Sequence, residues 1–166
     1  PLFNNIIVVK SNHDEHLERY LQEARYLNEP NNYLIGLKLS TSMVEGNDPL
    51  KWGVENIGKL NKPEKFKWLN RDQDCKLAGI QLGCHGDLGP NGSKGSIKTM
   101  ESSYGNCIFG HYHTPQILRN AWCIGTSTHL KLSYNQGPSS WVNTSCVVYH
   151  NGSKQLLNVI NKKWKM

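Results

Sequence analysis

No stretch of this sequence is apolar for long enough to cross a membrane as a helix, and its opening residues do not resemble an export signal. A C-x-x-C pair is also missing. The five cysteines, Cys75, Cys84, Cys107, Cys123 and Cys146, are scattered and odd in number, which argues against a disulfide framework and against a zinc–thiolate cluster. Four of them, Cys84, Cys107, Cys123 and Cys146, sit in apolar runs, so buried free thiols in a reducing compartment are expected. The glycine-rich tract from Gly86 to Gly95 lacks the G-x-x-x-x-G-K-[ST] spacing, and a phosphate-cradling P-loop is set aside. There is no internal repeat and no long low-complexity linker.

What is present fits one domain over residues 1–166, long enough to bury a core. Fifteen glycines, with many Asn and Ser, predict numerous loops. The formal net charge of +6 leans toward a polyanionic partner such as nucleic acid, although solvated basic faces are common. The densest basic cluster, Lys162-Lys163-Trp164-Lys165, reads either as a frayed tail or as a DNA contact. The chain opens at Pro1 and enters the apolar run Ile6-Ile7-Val8-Val9 almost at once, as a processed domain or a fragment would.

Hydrophobic periodicity predicts a buried strand over 5–10, then a helix from about Asp14 to Tyr26 on Leu17, Tyr20, Leu21, Ala24 and Leu27. A second helix is expected over Tyr33–Val44, ending at the turn signal Gly46-Asn47-Asp48-Pro49. The polar, basic stretch 50–75 reads as short helices. Beyond it the pattern changes to strands: Leu77–Cys84, running out at His85; Asn106–Phe109, running out at Gly110-His111; and Trp122–Ile124. A short helix starts near Ser96. Cys146–Tyr149 and Gln155–Ile160 flank Asn151-Gly152, a strong hairpin signal. The chain therefore reads as α/β, with strands concentrated toward its C-terminal half.

In three places an apolar strand ends and a metal-capable side chain follows: Asn12-His13-Asp14, His85, and His111-Tyr112-His113. In layered α/β proteins the carboxyl ends of strands form a common rim where ligands bind, which is a reason to group these residues. Each has a plainer reading: a lone His after a strand is commonly a hydrogen-bonded structural residue, and Asp14 could cap a helix. Taken together and in this order, Ser-Asn-His-Asp, an isolated His and Gly-His-Tyr-His resemble the later motifs of the calcineurin-like metallophosphoesterase superfamily. Those motifs are G-N-H-[DE], H and G-H-x-H; Ser11 stands where the family usually has Gly. The tract from Gly83 to Ser96, with Gly137-Pro138-Ser139-Ser140-Trp141, resembles phage-encoded members, which include nucleases that degrade host DNA.

The resemblance implies the C-terminal part of an αββα sandwich lacking the earlier D-x-H and G-D-x-x-D segments. It implies that Asn12, His85 and His111 ligate one divalent metal and His113 another, Mn²⁺ or else Mg²⁺. A hydroxide shared by the two ions would attack a phosphodiester. His13 would act at the scissile phosphate, with Asp14 holding its imidazole and raising its pKa. All four ligands are neutral, however, and two divalent cations within about 4 Å repel strongly and prefer carboxylate oxygen. An upstream segment or a second chain must supply that charge, or the chain is an inactive remnant. Asp87 is near His85 in sequence, but the resemblance gives it no ligand role.

The expected activity is a metal-dependent DNA nuclease, in the cytoplasm of an infected bacterium and with no membrane partner. Trp52, Trp68, Trp141 and Trp164 look exposed and are candidates for stacking on unpaired bases. A phosphatase or phosphodiesterase acting on nucleotides or phosphoproteins is the alternative, as is a non-catalytic binding or assembly module. A homo-oligomer is left open.

Overall fold

The computed structural model describes residues 3–133, 135–161 and 163–165, with only the backbone described for Trp164 and Lys165. Lys162 of the basic cluster lies outside the described residues. The molecule is mixed α/β, with helices and several sheets, and divides into two compact units, Pro1–Asn70 and Arg71–Met166. Each is taken by itself.

In the first unit, β1 (Ile6–Val9) pairs in parallel with β2 (Phe66–Leu69), Ile6 opposite Phe66 and Val9 opposite Leu69. Helix α1 (Asn12–Gln22) follows β1 almost at once, α2 (Tyr33–Val44) has the predicted bounds, and α3 (Pro49–Trp52) starts at the Asp48 cap. The core of the unit is Leu21, Tyr26 and Leu39, with Leu17, Tyr20, Met43 and Trp52 packed around it. Gly36 explains how α2 fits there. A Cβ on Gly36 would lie 2.3 Å from the Tyr26 ring, so a helical glycine, costing about 1 kcal/mol in propensity, is what lets the ring cross α2. The opposite side of α2 leaves Leu34 71% and Val44 87% exposed.

Two expectations for this unit need correction. The strand over 5–10 was expected to be buried, but Ile7 is 47% exposed, because residues on a two-stranded ribbon alternate between faces. Phe66–Leu69, expected within short helices, is a strand. Its partner lies some sixty residues upstream, and no local pattern reveals a pairing at that range.

The second unit holds a five-stranded sheet in the order β3-β4-β5-β7-β6: β3 (Lys76–Leu77), β4 (Ile80–Gln81), β5 (Cys107–Phe109), β6 (Gln116–Leu118) and β7 (Ala121–Cys123). The central strands β4, β5 and β7 are parallel, and β3 and β6 flank them antiparallel. Helix α4 (Ile97–Tyr104), capped by Ser96, links β4 to β5. Its Met100 is buried with Cys84, Cys107, Phe109, Ala121 and Cys123. Strands buried on both faces read as continuous apolar runs, which is why β5 was legible. All five cysteines are free thiols, as expected. Burial pushes Cys84 up to about 12 and Cys107 and Cys123 up to about 11, leaving them unreactive at neutral pH.

A second, antiparallel sheet is built from β8 (Asn143–Val148), β9 (Lys154–Ile160) and β10 (Lys163–Lys165), in the order β10-β9-β8. The Asn151-Gly152 turn joins β8 to β9, with Gly152 at φ 79°. Lys163–Lys165 therefore form an edge strand and not a frayed tail. Lysine on an edge discourages pairing with other chains.

The expected strand Leu77–Cys84 is broken in two. Ala78 and Gly79, at φ 50° and 76°, form a two-residue loop between β3 and β4, in the manner of a type I′ turn. Alanine in that region costs about 1 kcal/mol. Ala78→Asn, giving the Asn-Gly pair this turn prefers, is expected to stabilise the protein by about 0.5–1 kcal/mol, read as a raised urea midpoint.

Among the described residues no helix is long and apolar enough to cross a membrane.

Candidate functional site

In the second unit the parallel pair β4 and β5 brings two of the predicted residues to one edge of the sheet. His85 lies four residues beyond Gln81, where β4 ends, and His111 follows β5 after Gly110. The two loops are tied through the backbone: the Gly110 N–H donates to the His85 carbonyl at 3.0 Å. The imidazoles meet edge-on with ring centroids 5.2 Å apart, and both residues are half-buried.

The Gly-His-Tyr-His segment is held in unusual backbone geometry. His111 and His113 have φ 74° and 58°, in the left-handed region that side-chain-bearing residues seldom adopt. Such conformations persist where surrounding bonds over-determine them, and those bonds are present. Tyr112 between them donates its hydroxyl to the Gly95 carbonyl, the Tyr112 N–H donates to the Gly110 carbonyl at 3.0 Å, and the His113 carbonyl accepts from Val142 N–H at 3.1 Å. The His113 ring lies edge-on to Trp141 at 4.2 Å. Tyr112 and Gly95 were not singled out as site residues from sequence, and Trp141 only as a candidate for stacking on bases. The signal that could have found them is their place in the glycine-rich tract, in Gly-Pro-Ser-Ser-Trp, and between the two histidines.

The loop after His85 carries a half-buried charge pair, in which Arg71 donates to Asp87 Oδ2, while Asp87 Oδ1 is buried with no hydrogen-bond partner among the described residues. Burial alone would raise the Asp87 pKa, but the Arg71 guanidinium outweighs it and holds the carboxyl below its ordinary range, with a smaller contribution from His85. Asp87 thus closes a charge pair with Arg71. Asp87→Asn removes the shorter of two ion pairs and leaves Arg71 with Asp72 at 3.6 Å, and it is expected to cost about 1–3 kcal/mol, measured by urea unfolding.

In the first unit Asn12, His13 and Asp14 are the first three residues of α1, where a loop was expected before Asp14. Ser11 is the cap: the Asp14 N–H donates to its Oγ at 3.4 Å, while Ser11 N–H donates back to Asp14 Oδ2 at 2.7 Å, a reciprocal capping box. The Asp14 carboxylate is engaged with Ser11, whose hydroxyl lies 3.0 Å from the same oxygen. The exposed His13 ring stacks on His16 at 5.4 Å. The small residue standing where the resembled family has Gly therefore has a local job, as does Asp14.

The donor set can be tested against a divalent metal. Among the described residues no group of three or more His, Cys, Asp or Glu side chains is placed to hold a metal ion. His85 and His111 can offer two neutral nitrogen ligands, which suits part of a borderline-metal site. Two neutral donors do not offset the charge of two divalent ions, so the residues gathered here fit half of such a centre. Trp52, Trp68 and Trp141, expected to be exposed, are half-buried. The Trp164 side chain lies outside the described residues.

With this geometry in hand, comparison with known proteins finds one phage relative. The chain is 32% identical over 171 residues to Protein A1 of Escherichia phage T5. That similarity suggests a phage origin. The match takes in 98% of this chain, which spans 30% of the length of the phage protein. No family model matches the chain. No solved structure matches it either.

Proposed function

We propose that this protein is part of a metal-dependent phosphodiesterase of the calcineurin-like kind, acting on DNA in the cytoplasm of an infected bacterium. The observation that carries the reading is the ordered motif set, Ser-Asn-His-Asp after β1, His85 after β4 and Gly-His-Tyr-His after β5, together with the meeting of His85 and His111. The phage relative supports the phage setting, and the net charge of +6 favours a polyanionic substrate.

In this reading Asn12, His85 and His111 serve one ion and His113 another, Mn²⁺ or Mg²⁺. When bound, the ions would neutralise phosphate charge and activate water. The chain's own residues orient and protonate: in this reading the exposed His13 gives a proton to a substrate oxygen, and the His111–His113 turn carries two imidazoles on one short segment, one against His85 and one against Trp141. The carboxylates come from an upstream segment or a second chain. The test is metal counting on the intact gene product, followed by DNA hydrolysis with chelator and with Mn²⁺ restored. Bound metal and chelator-sensitive cleavage are expected; hydrolysis indifferent to chelator would rule the mechanism out.

The partial donor set favours one other reading, a binding or assembly module that keeps the fold without the chemistry. It predicts no bound metal in the intact product.

A further inference from the structure

A cleft of about 450 Å³ opens in the first unit where the parallel strands β1 and β2 end. That volume suits a nucleotide-sized ligand. Its apolar lining is Val8, Leu50, Leu69, Trp52 and Trp68, and an indole is a surface on which a heteroaromatic ring can stack. Most of the polar groups around it are already committed. Lys10 donates to Glu18 and, at 2.9 Å, to Asp48. Burial alone would lower the Lys10 pKa, but the two carboxylates outweigh it and leave it raised. Asp14 is turned back onto Ser11.

Two charged side chains on the lining remain: Lys51, exposed, and Glu55, half-buried, neither with a side-chain hydrogen bond or ion pair among the described residues. They stand four residues apart on the continuous helical stretch 49–57, with no ion pair joining them. The cleft therefore offers an aromatic floor, one acceptor-only carboxylate and one cation.

That combination selects among nucleobases. A carboxylate accepts hydrogen bonds and gives none. Guanine presents two adjacent donors, N1–H and the 2-amino group, which match the two oxygens of a carboxylate. Adenine, cytosine and thymine each set an acceptor beside the donor on the same edge, and an acceptor facing Glu55 is repelled. We propose that this cleft binds a guanine nucleotide, with the base on the indoles of Trp52 and Trp68, its N1–H and 2-amino edge on Glu55 and its phosphate on Lys51. The argument needs neither a metal nor the hydrolytic reading; if that reading holds, the cleft takes a base of the DNA substrate.

The test is calorimetric titration of the full chain, in chelator, with dGMP, dAMP, dCMP, TMP and deoxyribose 5-phosphate. The guanine nucleotide is expected to bind about tenfold more tightly than the others, the value of one lost charge-assisted contact. Glu55→Gln is expected to remove that preference while leaving deoxyribose 5-phosphate unchanged, and Lys51→Ala to weaken every phosphate ligand several-fold. Both variants alter side chains outside the core, and their unfolding midpoints serve as the control for folding. Equal affinity for the four nucleotides overturns the proposal, as does equal binding of the baseless sugar phosphate, an unchanged preference in Glu55→Gln, or no binding at millimolar ligand. Because chelator is present throughout, failure of the nuclease reading leaves these outcomes untouched.

Discussion

His111→Ala is expected to lower Mn²⁺-dependent DNA hydrolysis by about three orders of magnitude, close to 4 kcal/mol of transition-state stabilisation. The ring is half-buried and meets His85 at the sheet edge, outside the core formed by Cys84, Met100, Cys107 and Phe109. Folding should therefore survive. Alanine at φ 74° carries a strain similar to that of histidine, so the exchange alters the side chain far more than the backbone. His129→Ala is the control: it removes an exposed imidazole that has no role in the proposed site, and activity should stay within a factor of about two of the parent. Steady-state cleavage of a labelled oligonucleotide by the intact product measures both. Activity retained by His111→Ala would remove the sheet-edge histidines from the chemistry.

Gly95→Ala is expected to destabilise the protein by about 3 kcal/mol and to cut activity with it. A Cβ there would lie 2.1 Å from the Gly86 carbonyl oxygen and 2.9 Å from the Asp87 carbonyl carbon. These are backbone atoms, so no rotamer change relieves the clash. Gly95 also donates its N–H to the Asp87 carbonyl at 2.7 Å and accepts the Tyr112 hydroxyl. It thus sits between the loop after His85 and the segment carrying His111 and His113. A shift there displaces both. The urea midpoint and the cleavage rate should fall together; an unchanged midpoint would mean that the loop does not close in this way.

Elements with strong local signals were legible. Tyr33–Val44 carries an apolar helical pattern and a clear stop; Ser96 opens a capped helix; Asn151-Gly152 announces a hairpin. The failures share a cause. Phe66–Leu69 is a strand because β1 pairs with it, and Lys163–Lys165 because β9 does. Neither segment has enough period or length to show this alone. The run Leu77–Cys84 looked continuous because Ala78 is apolar, yet its positive φ makes it a turn. In the site, the histidines were legible as residue types at strand ends. Their mutual orientation was not, and neither were the Tyr112–Gly95 bond or the Arg71–Asp87 pair. Each of those contacts joins positions at least sixteen residues apart, and sequence spacing carries no information about such closures.

The sequence by itself determined the mixed α/β character, the free cysteines with the burial of Cys84, Cys107 and Cys123 but not of the half-buried Cys146, and which side chains could carry chemistry, because hydrophobic period and residue type are local properties. Only the tertiary structure decided that β4 and β5 run parallel and deliver His85 and His111 to one edge. It also decided that Asp14 answers to Ser11, and that Trp52 and Trp68 share a cleft with Glu55 and Lys51. These outcomes depend on strand pairing and packing across long stretches of chain, where many small contact energies outweigh any local preference.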